Sequence, residues 1–353
     1  MLAILLSMTF ACVVQPDDAN ETKSGVGRPT DTPRLHHVGL NSTDPARAAA
    51  WYLGLWPEAQ LGQFAGQTAV IADMTLVINK VEQAPSGEYE PGKGRSVEQS
   101  AFWHIGAFVD TTDIDSRLKG LGIKPLPLFI RPDSAATVWR SGLAPYQGIR
   151  EKDTLASLSP KNEAIPVGRD GGFAYVLGPD GALFELTGRP GTSPSLSHIH
   201  FFHEHPHCAA NWYVTIMGMQ HRRNSGLREG ACQVPVGAPS WPSLEAQGTL
   251  RQPRGGVSYG NGNMSWYPRQ CVFGRCGTDQ ALVTSRGQVL DHVGFSVVSI
   301  HDWHRWIVSS GARIIKPLGK MGSAHAFMFE GPDGLAIELV QLELTSGVDV
   351  DQQ

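Results

Sequence analysis

The sequence predicts an α+β chain of four tandem βαβββ modules, and three recurrences carry that prediction. A short alternating run with a histidine inside it occurs four times: Leu35-His36-His37-Val38-Gly39-Leu40, Phe102-Trp103-His104-Ile105-Gly106, Leu196-Ser197-His198-Ile199-His200 and Leu290-Asp291-His292-Val293-Gly294-Phe295. Trp51-Tyr52 begins 14 residues after His37, and Trp212-Tyr213 begins 14 residues after His198. Gly178-Pro179-Asp180-Gly181 begins 7 residues before Glu185, the spacing that also separates Gly331 from Glu338. Landmarks kept in step over this length are the signature of internal repetition.

The last module is the clearest. Alternation from Leu290 to Phe295 puts His292 and Gly294 on one face of a strand. Trp303, Trp306 and Ile307 follow at helical spacing, with Gly311 placed to end the helix. Two apolar runs, Ala326 to Phe329 and Leu335 to Val340, are joined by Gly331-Pro332-Asp333-Gly334. There Pro fixes φ and the second Gly accepts a positive one, so a tight hairpin is expected. His292 and Glu338 interrupt strands otherwise built for burial, and a buried polar group needs a partner. In the first module Asp44 is the expected N-cap, with Pro45 at the first helical position and Gly54 beyond the end. The modules span roughly 34–95, 98–190, 195–270 and 285–343. They group in sequence as a first domain, 34–190, and a second, 195–343, with a tail at 344–353. Residues 124–170 and 221–262 read as insertions, either lids over a cleft or decoration.

Composition bounds the partners. The chain has 353 residues, 41% apolar and 18% charged, which suits folded domains with their own cores. A net charge of -4 and a pI near 6.3 leave no electrostatic footprint for nucleic acid, so a small molecule is the expected partner. Met1 to Cys12 is an apolar run too short to span a membrane, and it reads as the core of an export signal. Cys12 sits where a bacterial lipoprotein carries its lipid, which would give an exported, membrane-tethered protein; a miscalled start, giving a cytoplasmic one, is the alternative. Val13 to Pro33 reads as a disordered tether. The other cysteines, Cys208, Cys232, Cys271 and Cys276, permit disulfides, with Cys271 and Cys276 able to close a small loop, or stay as thiols; no second ligand pair supports a zinc knuckle.

The βαβββ repeats, the histidine-bearing first strands and the GPDGxxxEL ends resemble the vicinal oxygen chelate superfamily, which includes glyoxalase I, extradiol dioxygenases and bleomycin resistance proteins. The resemblance covers about residues 34 to 343. It implies that modules pair, that their sheets curl around two open, barrel-like clefts, and that ligands come from first and last strands. Carried over, it assigns His37, His104 and Glu185 to one cleft and His198, His292 and Glu338 to the other. The odd modules offer no carboxylate at their last strand, only Ile78 or Asn79 and Ser265, Trp266 or Tyr267, which departs from the glyoxalase I pattern. Tyr175 fits the tyrosine of the ring-cleaving members, but no histidine precedes it at the expected distance.

Two neutral imidazoles and a carboxylate on converging strands can hold a divalent ion, Fe(II), Zn, Mn or Ni, and leave positions open for adjacent substrate oxygens. The expectation is a metal-dependent lyase, isomerase or oxygenase. A metal-free binding protein of the bleomycin resistance type is the alternative, with the same residues hydrogen-bonding a ligand. His200 shares a strand face with His198 and is the expected acid/base beside it. His36 should face away from the cleft, and His203 to His207 should be solvated at the start of a helix. The paired Trp and Tyr residues are expected in the core.

Overall fold

In this computed structural model the described residues are 25–56, 58–86, 100–109, 118–123, 172–188, 195–203, 205–222, 255–259, 262–267 and 282–343, with short strand pairs at 89–90 with 94–95, 129–130 with 137–138, and 240–242 with 249–251. Cys12, Cys232, Cys271 and Cys276, the signal-like segment and most of 124–170 lie outside them. Among the described residues no helix is long and apolar enough to cross a membrane.

The first module supplies β1 (Arg34–Ser42), α1 (Pro45–Leu55), β2 (Gln60–Phe64), β3 (Gln67–Ile71) and β4 (Thr75–Lys80). The second supplies β5 (Phe102–Val109), β6 (Gly172–Leu177) and β7 (Leu183–Gly188), and the third β8 (Ser195–Phe202), α2 (Pro206–Met217), β9 (Gln220–His221), β10 (Gly255–Tyr259) and β11 (Gly262–Tyr267). The fourth is β12 (Leu290–Ser296), α3 (Ile300–Ser309), β13 (Ile314–Met321), β14 (Ala324–Glu330) and β15 (Ala336–Leu342). The region 221–262 is therefore not all insertion: β10 pairs with β11 and belongs to the module's own hairpin.

Two large open sheets result, and each joins modules that are not the sequence pairs. The eight-stranded sheet runs β13-β14-β15-β12-β1-β4-β3-β2, so module 1 meets module 4. The seven-stranded sheet runs β6-β7-β5-β8-β11-β10-β9, so module 2 meets module 3. Neither sheet is confined to 34–190 or to 195–343. At each seam two first strands pair antiparallel, β1 with β12 and β5 with β8, and each runs parallel to the last strand of its own module.

Local chemistry fixes the ends of these elements. Asp44 caps α1 by accepting from the Arg47 backbone N–H at 3.1 Å, and Pro45 opens the helix, whose last turn includes Gly54. Gly311, at φ +81°, follows α3. The two Gly-Pro-Asp-Gly corners are 3-10 turns in which Asp180 and Asp333 take left-handed φ values as well as the glycines after them. Tyr52, Tyr213, Trp303 and Trp306 are buried in the core, against which Trp51 and Trp212 pack from half-buried positions. The end of the expected tether is docked: Arg28 donates to the Val214 and Thr215 carbonyls at the end of α2, while Asp31 accepts from the Val298 N–H and the Trp303 indole.

Candidate metal centres

The His-x-Gly motif of the first strands has a steric reason. In the β1/β12 ladder His37 lies opposite Gly294 and His292 is opposite Gly39. A Cβ built on Gly294 would fall 2.0 Å from the His37 ring, and one on Gly39 would fall 2.0 Å from the His292 ring. Each glycine thus clears the floor on which the other module's imidazole rests. The two rings meet edge to face at 5.2 Å between centroids. Glu338 enters from β15, whose ladder sets it beside Gly294.

This first site joins His37, His292 and Glu338, all buried, with one possible ligand atom each within 4.8 Å of the others. The two Nε2 atoms face each other at 3.1 Å, and Glu338 Oε2 lies 3.3 Å from that of His37 and 4.0 Å from that of His292. Each Nδ1 has a separate partner. That of His292 donates to Asp291 Oδ1 at 2.6 Å, which turns Nε2 into the site. Asp291 is itself held by the Arg286 guanidinium, the Gly287 N–H at 2.8 Å and the Asn41 amide at 3.0 Å. That of His37 meets His36 Nδ1 at 2.9 Å.

Contrary to expectation, His36 does not face away. A bulge between Leu35 and His37 breaks the alternation and swings its ring beside His37 and over Phe64. Burial and the neighbouring His37 lower the His36 pKa to about 4. Burial also lowers that of His37, with His292 helping and Glu338 opposing. Both rings are therefore neutral near neutral pH. Burial alone would raise the Glu338 pKa; hydrogen bonding from His37 and the electrostatic influence of the nearby His292, His37 and Lys316 outweigh it and hold the carboxylate below its usual range.

The second site lies on the other seam and joins His104 of β5, Glu185 of β7, and His198 and His200 of β8. His104 Nε2 is 3.3 Å from Glu185 Oε2, and His198 Nε2 is 3.7 Å from Oε1. The Tyr175 hydroxyl donates to Oε2 at 3.2 Å and that of Thr187 to Oε1 at 3.1 Å. Burial works to raise the Glu185 pKa, but His198, His104 and Thr187 together bring it down to about 2.

The expected groupings, His37 with His104 and Glu185 and His198 with His292 and Glu338, are thus replaced by groups drawn across the seams. All six expected ligands lie in one or other site, because β1 pairs with β12 and β5 with β8. The position facing each carboxylate's own across the seam is also defined. Glu338 sits beside Gly294 and Glu185 beside Gly106; the matching ladder places in modules 1 and 3 hold Val77 beside Gly39 and Ser265 beside His200. His200 is packed among the donors of the second site, and Tyr175 orients Glu185 there. His207, expected in solvent, is buried, whereas His205 is exposed. The roles of His36 and Asp291 were missed, although Asp291 directly precedes a proposed ligand. Cys208 is disulfide-bonded.

The donor sets fit a divalent ion: imidazoles and a buried carboxylate converge in each, and in the first site both outer Nδ1 atoms are already engaged. Comparison with known proteins agrees at the level of family. The model of the Glyoxalase/Bleomycin resistance protein/Dioxygenase superfamily matches residues 162–339, half of the chain, and the protein belongs to that family. Among solved structures, glyoxalase I from Zea mays superposes with a TM-score of 0.53 at 13% identity, covering 88% of this chain and 92% of that one. A candidate dioxygenase from Bacillus subtilis gives 0.50 at 11% identity, covering 89% and 86%. At such identities these likenesses show the fold alone. No curated protein matches the sequence.

Proposed function

We propose that this protein is a metal-dependent enzyme whose first site, His37, His292 and Glu338, holds a divalent ion and takes a small substrate through two adjacent oxygens. The observation that carries this reading is the pair of Nε2 atoms turned toward each other and toward Glu338 while each Nδ1 is engaged elsewhere. That is how histidines are presented to a metal. The ion, Fe(II), Zn, Mn or Ni, would supply Lewis acidity or, if iron, oxygen chemistry. The chain's own residues do the rest. Val77 stands where a fourth protein ligand would otherwise come, so two histidines and one carboxylate leave positions for substrate. Asp291 and His36 fix the two ring orientations. Lys316, half exposed and with Nζ 3.9 Å from Glu338 Oε1, places a positive charge where an anionic substrate would approach. The reaction class supported is that of a lyase, isomerase or oxygenase.

A metal-free binding module is the second reading, favoured by the His37 to Glu338 contact, which satisfies the carboxylate without an ion. Elemental mass spectrometry on untagged wild type and Glu338→Ala separates the two. The enzyme reading requires metal in the first and a loss of one equivalent in the second. No metal after anaerobic reconstitution with Fe(II) would leave the binding module. The Cys208 disulfide supports the exported reading over the cytoplasmic one. Fatty-acid labelling that persists in Cys12→Ala would contradict lipidation at Cys12.

A further inference from the structure

The two donor sets differ by one residue, and the difference has a chemical meaning. Three of the four first strands carry His-x-Gly, and in each case the glycine lies under an imidazole from the partner module: Gly39 under His292, Gly294 under His37 and Gly106 under His198. The fourth strand breaks the rule with His198-Ile199-His200, so the place opposite His104 holds a third imidazole. The His200 ring is 6% exposed and packs 4.6 Å from that of His104 and 4.2 Å from that of His198, between centroids.

We propose that the second site is a closed four-donor metal site, with His200 as its fourth ligand beside His104, His198 and Glu185, and that it pins module 2 to module 3 and holds no substrate. The four possible ligand atoms lie within 4.8 Å of one another. A tetrahedral ion with bonds of about 2.0–2.1 Å sets its donors about 3.4 Å apart. The contact from Glu185 Oε2 to His104 Nε2, at 3.3 Å, is already at that spacing, and His198 Nε2 lies 3.7 Å from the other carboxylate oxygen. Four protein donors leave a four-coordinate ion no open position, which is the mark of a structural site, whereas three leave one. Three imidazoles and a carboxylate suit Zn and Co(II). Three strands contribute, β5, β7 and β8, and the β5/β8 pair is the seam between the modules. Tyr175 and Thr187 orient the carboxylate from outside.

The test uses the full chain carrying Glu338→Ala, so that the first site contributes nothing and its own standing does not enter. After metal stripping, Co(II) is titrated in and followed by visible absorption and by thermal unfolding. The expected result is one equivalent with the intense bands of four-coordinate Co(II) and a rise in Tm. Adding His200→Gly, which restores the motif of the other three strands, should replace those bands with the weak ones of higher coordination. It should also weaken affinity at least about tenfold and remove most of the Tm gain. His200→Asn, which keeps polarity without opening as much space, should do the same, with far-UV circular dichroism confirming the fold. Intense bands that survive both substitutions, weak bands before either, or no Co(II) bound would each overturn the proposal.

Discussion

Gly294→Ala tests the steric logic of the first seam, because two effects of opposite sign compete there. In a strand interior, glycine is less favourable than alanine by roughly 0.5–1 kcal/mol, so the substitution should stabilise if nothing else changed. Here the new Cβ would lie 2.0 Å from Cε1, 2.3 Å from Nδ1 and 2.5 Å from Nε2 of His37. Reaching van der Waals separation requires the ring to retreat by about 1.5 Å. Overpacking of this kind costs about 1–3 kcal/mol, which exceeds the conformational gain. The ring cannot retreat cheaply, because Phe64 and His36 already pack against it. A net loss of about 0.5–2 kcal/mol is expected, read as a lower urea midpoint with unchanged slope. Displacing Nε2 by more than an ångström should also weaken metal binding by about 100-fold. Gly319→Ala is the control: its Cβ would meet only a carbonyl oxygen at 4.0 Å, so stability should stay within about 0.5 kcal/mol. A Gly294→Ala protein as stable as the control, with wild-type metal content, would mean that the His37 ring does not need the space that Gly294 leaves.

Three other outcomes follow from the same geometry. Asp291→Asn removes the acceptor that orients His292 and should weaken metal binding about 10- to 100-fold, measured by competition with a chromophoric chelator; unchanged affinity would mean that Asp291 serves only the loop at Arg286 and Gly287. In the metal-free protein Glu185 has a pKa lowered from 4.5 to about 2, so the stability it contributes is present above about pH 4.5 and is lost as pH falls toward 2. Urea midpoints should therefore fall more steeply over that window in wild type than in Glu185→Gln, and parallel curves would count against the coupling. Asp31→Ala leaves the Val298 N–H and the buried Trp303 indole without their acceptor, so a loss of about 1–3 kcal/mol is expected in thermal unfolding. No change would show that the docked residues after Gly25 are not needed.

Much of the fold was legible because it repeats. Four copies of one strand opening, with aromatic pairs and Gly-Pro-Asp-Gly corners at constant spacing, define the module without any long-range information. The caps of α1 and α3 were legible too, since Asp44 and Gly311 act within a few residues of their own positions. What the sequence could not supply was which modules share a sheet. Strand pairing is decided by contacts distant in sequence, as between His37 and His292, 255 residues apart, and the four openings are too alike to distinguish partners. The clustered histidines and glutamates were therefore legible, but their grouping was not. The bulge at His36 was hidden for a related reason: strict alternation turns that ring outward, and only the register shift against β12 brings it back. The exchange of glycine for His200 was visible in the sequence. Its consequence needed the ladder that sets it opposite His104.

If metal is held across the seam between modules 1 and 4, its content must depend on residues of both. In a His104→Ala/Glu185→Ala background, which leaves the second site only two of its four donors, metal content is determined for the parent, His37→Ala and His198→Ala after equal reconstitution. The structure predicts that the parent and His198→Ala each keep one equivalent and that His37→Ala loses it, because His37 Nε2 lies 3.1 Å from that of His292 while His198 belongs to the other sheet. Metal retained in His37→Ala and lost in His198→Ala would put the ion on the other sheet and leave the seam between modules 1 and 4 without one.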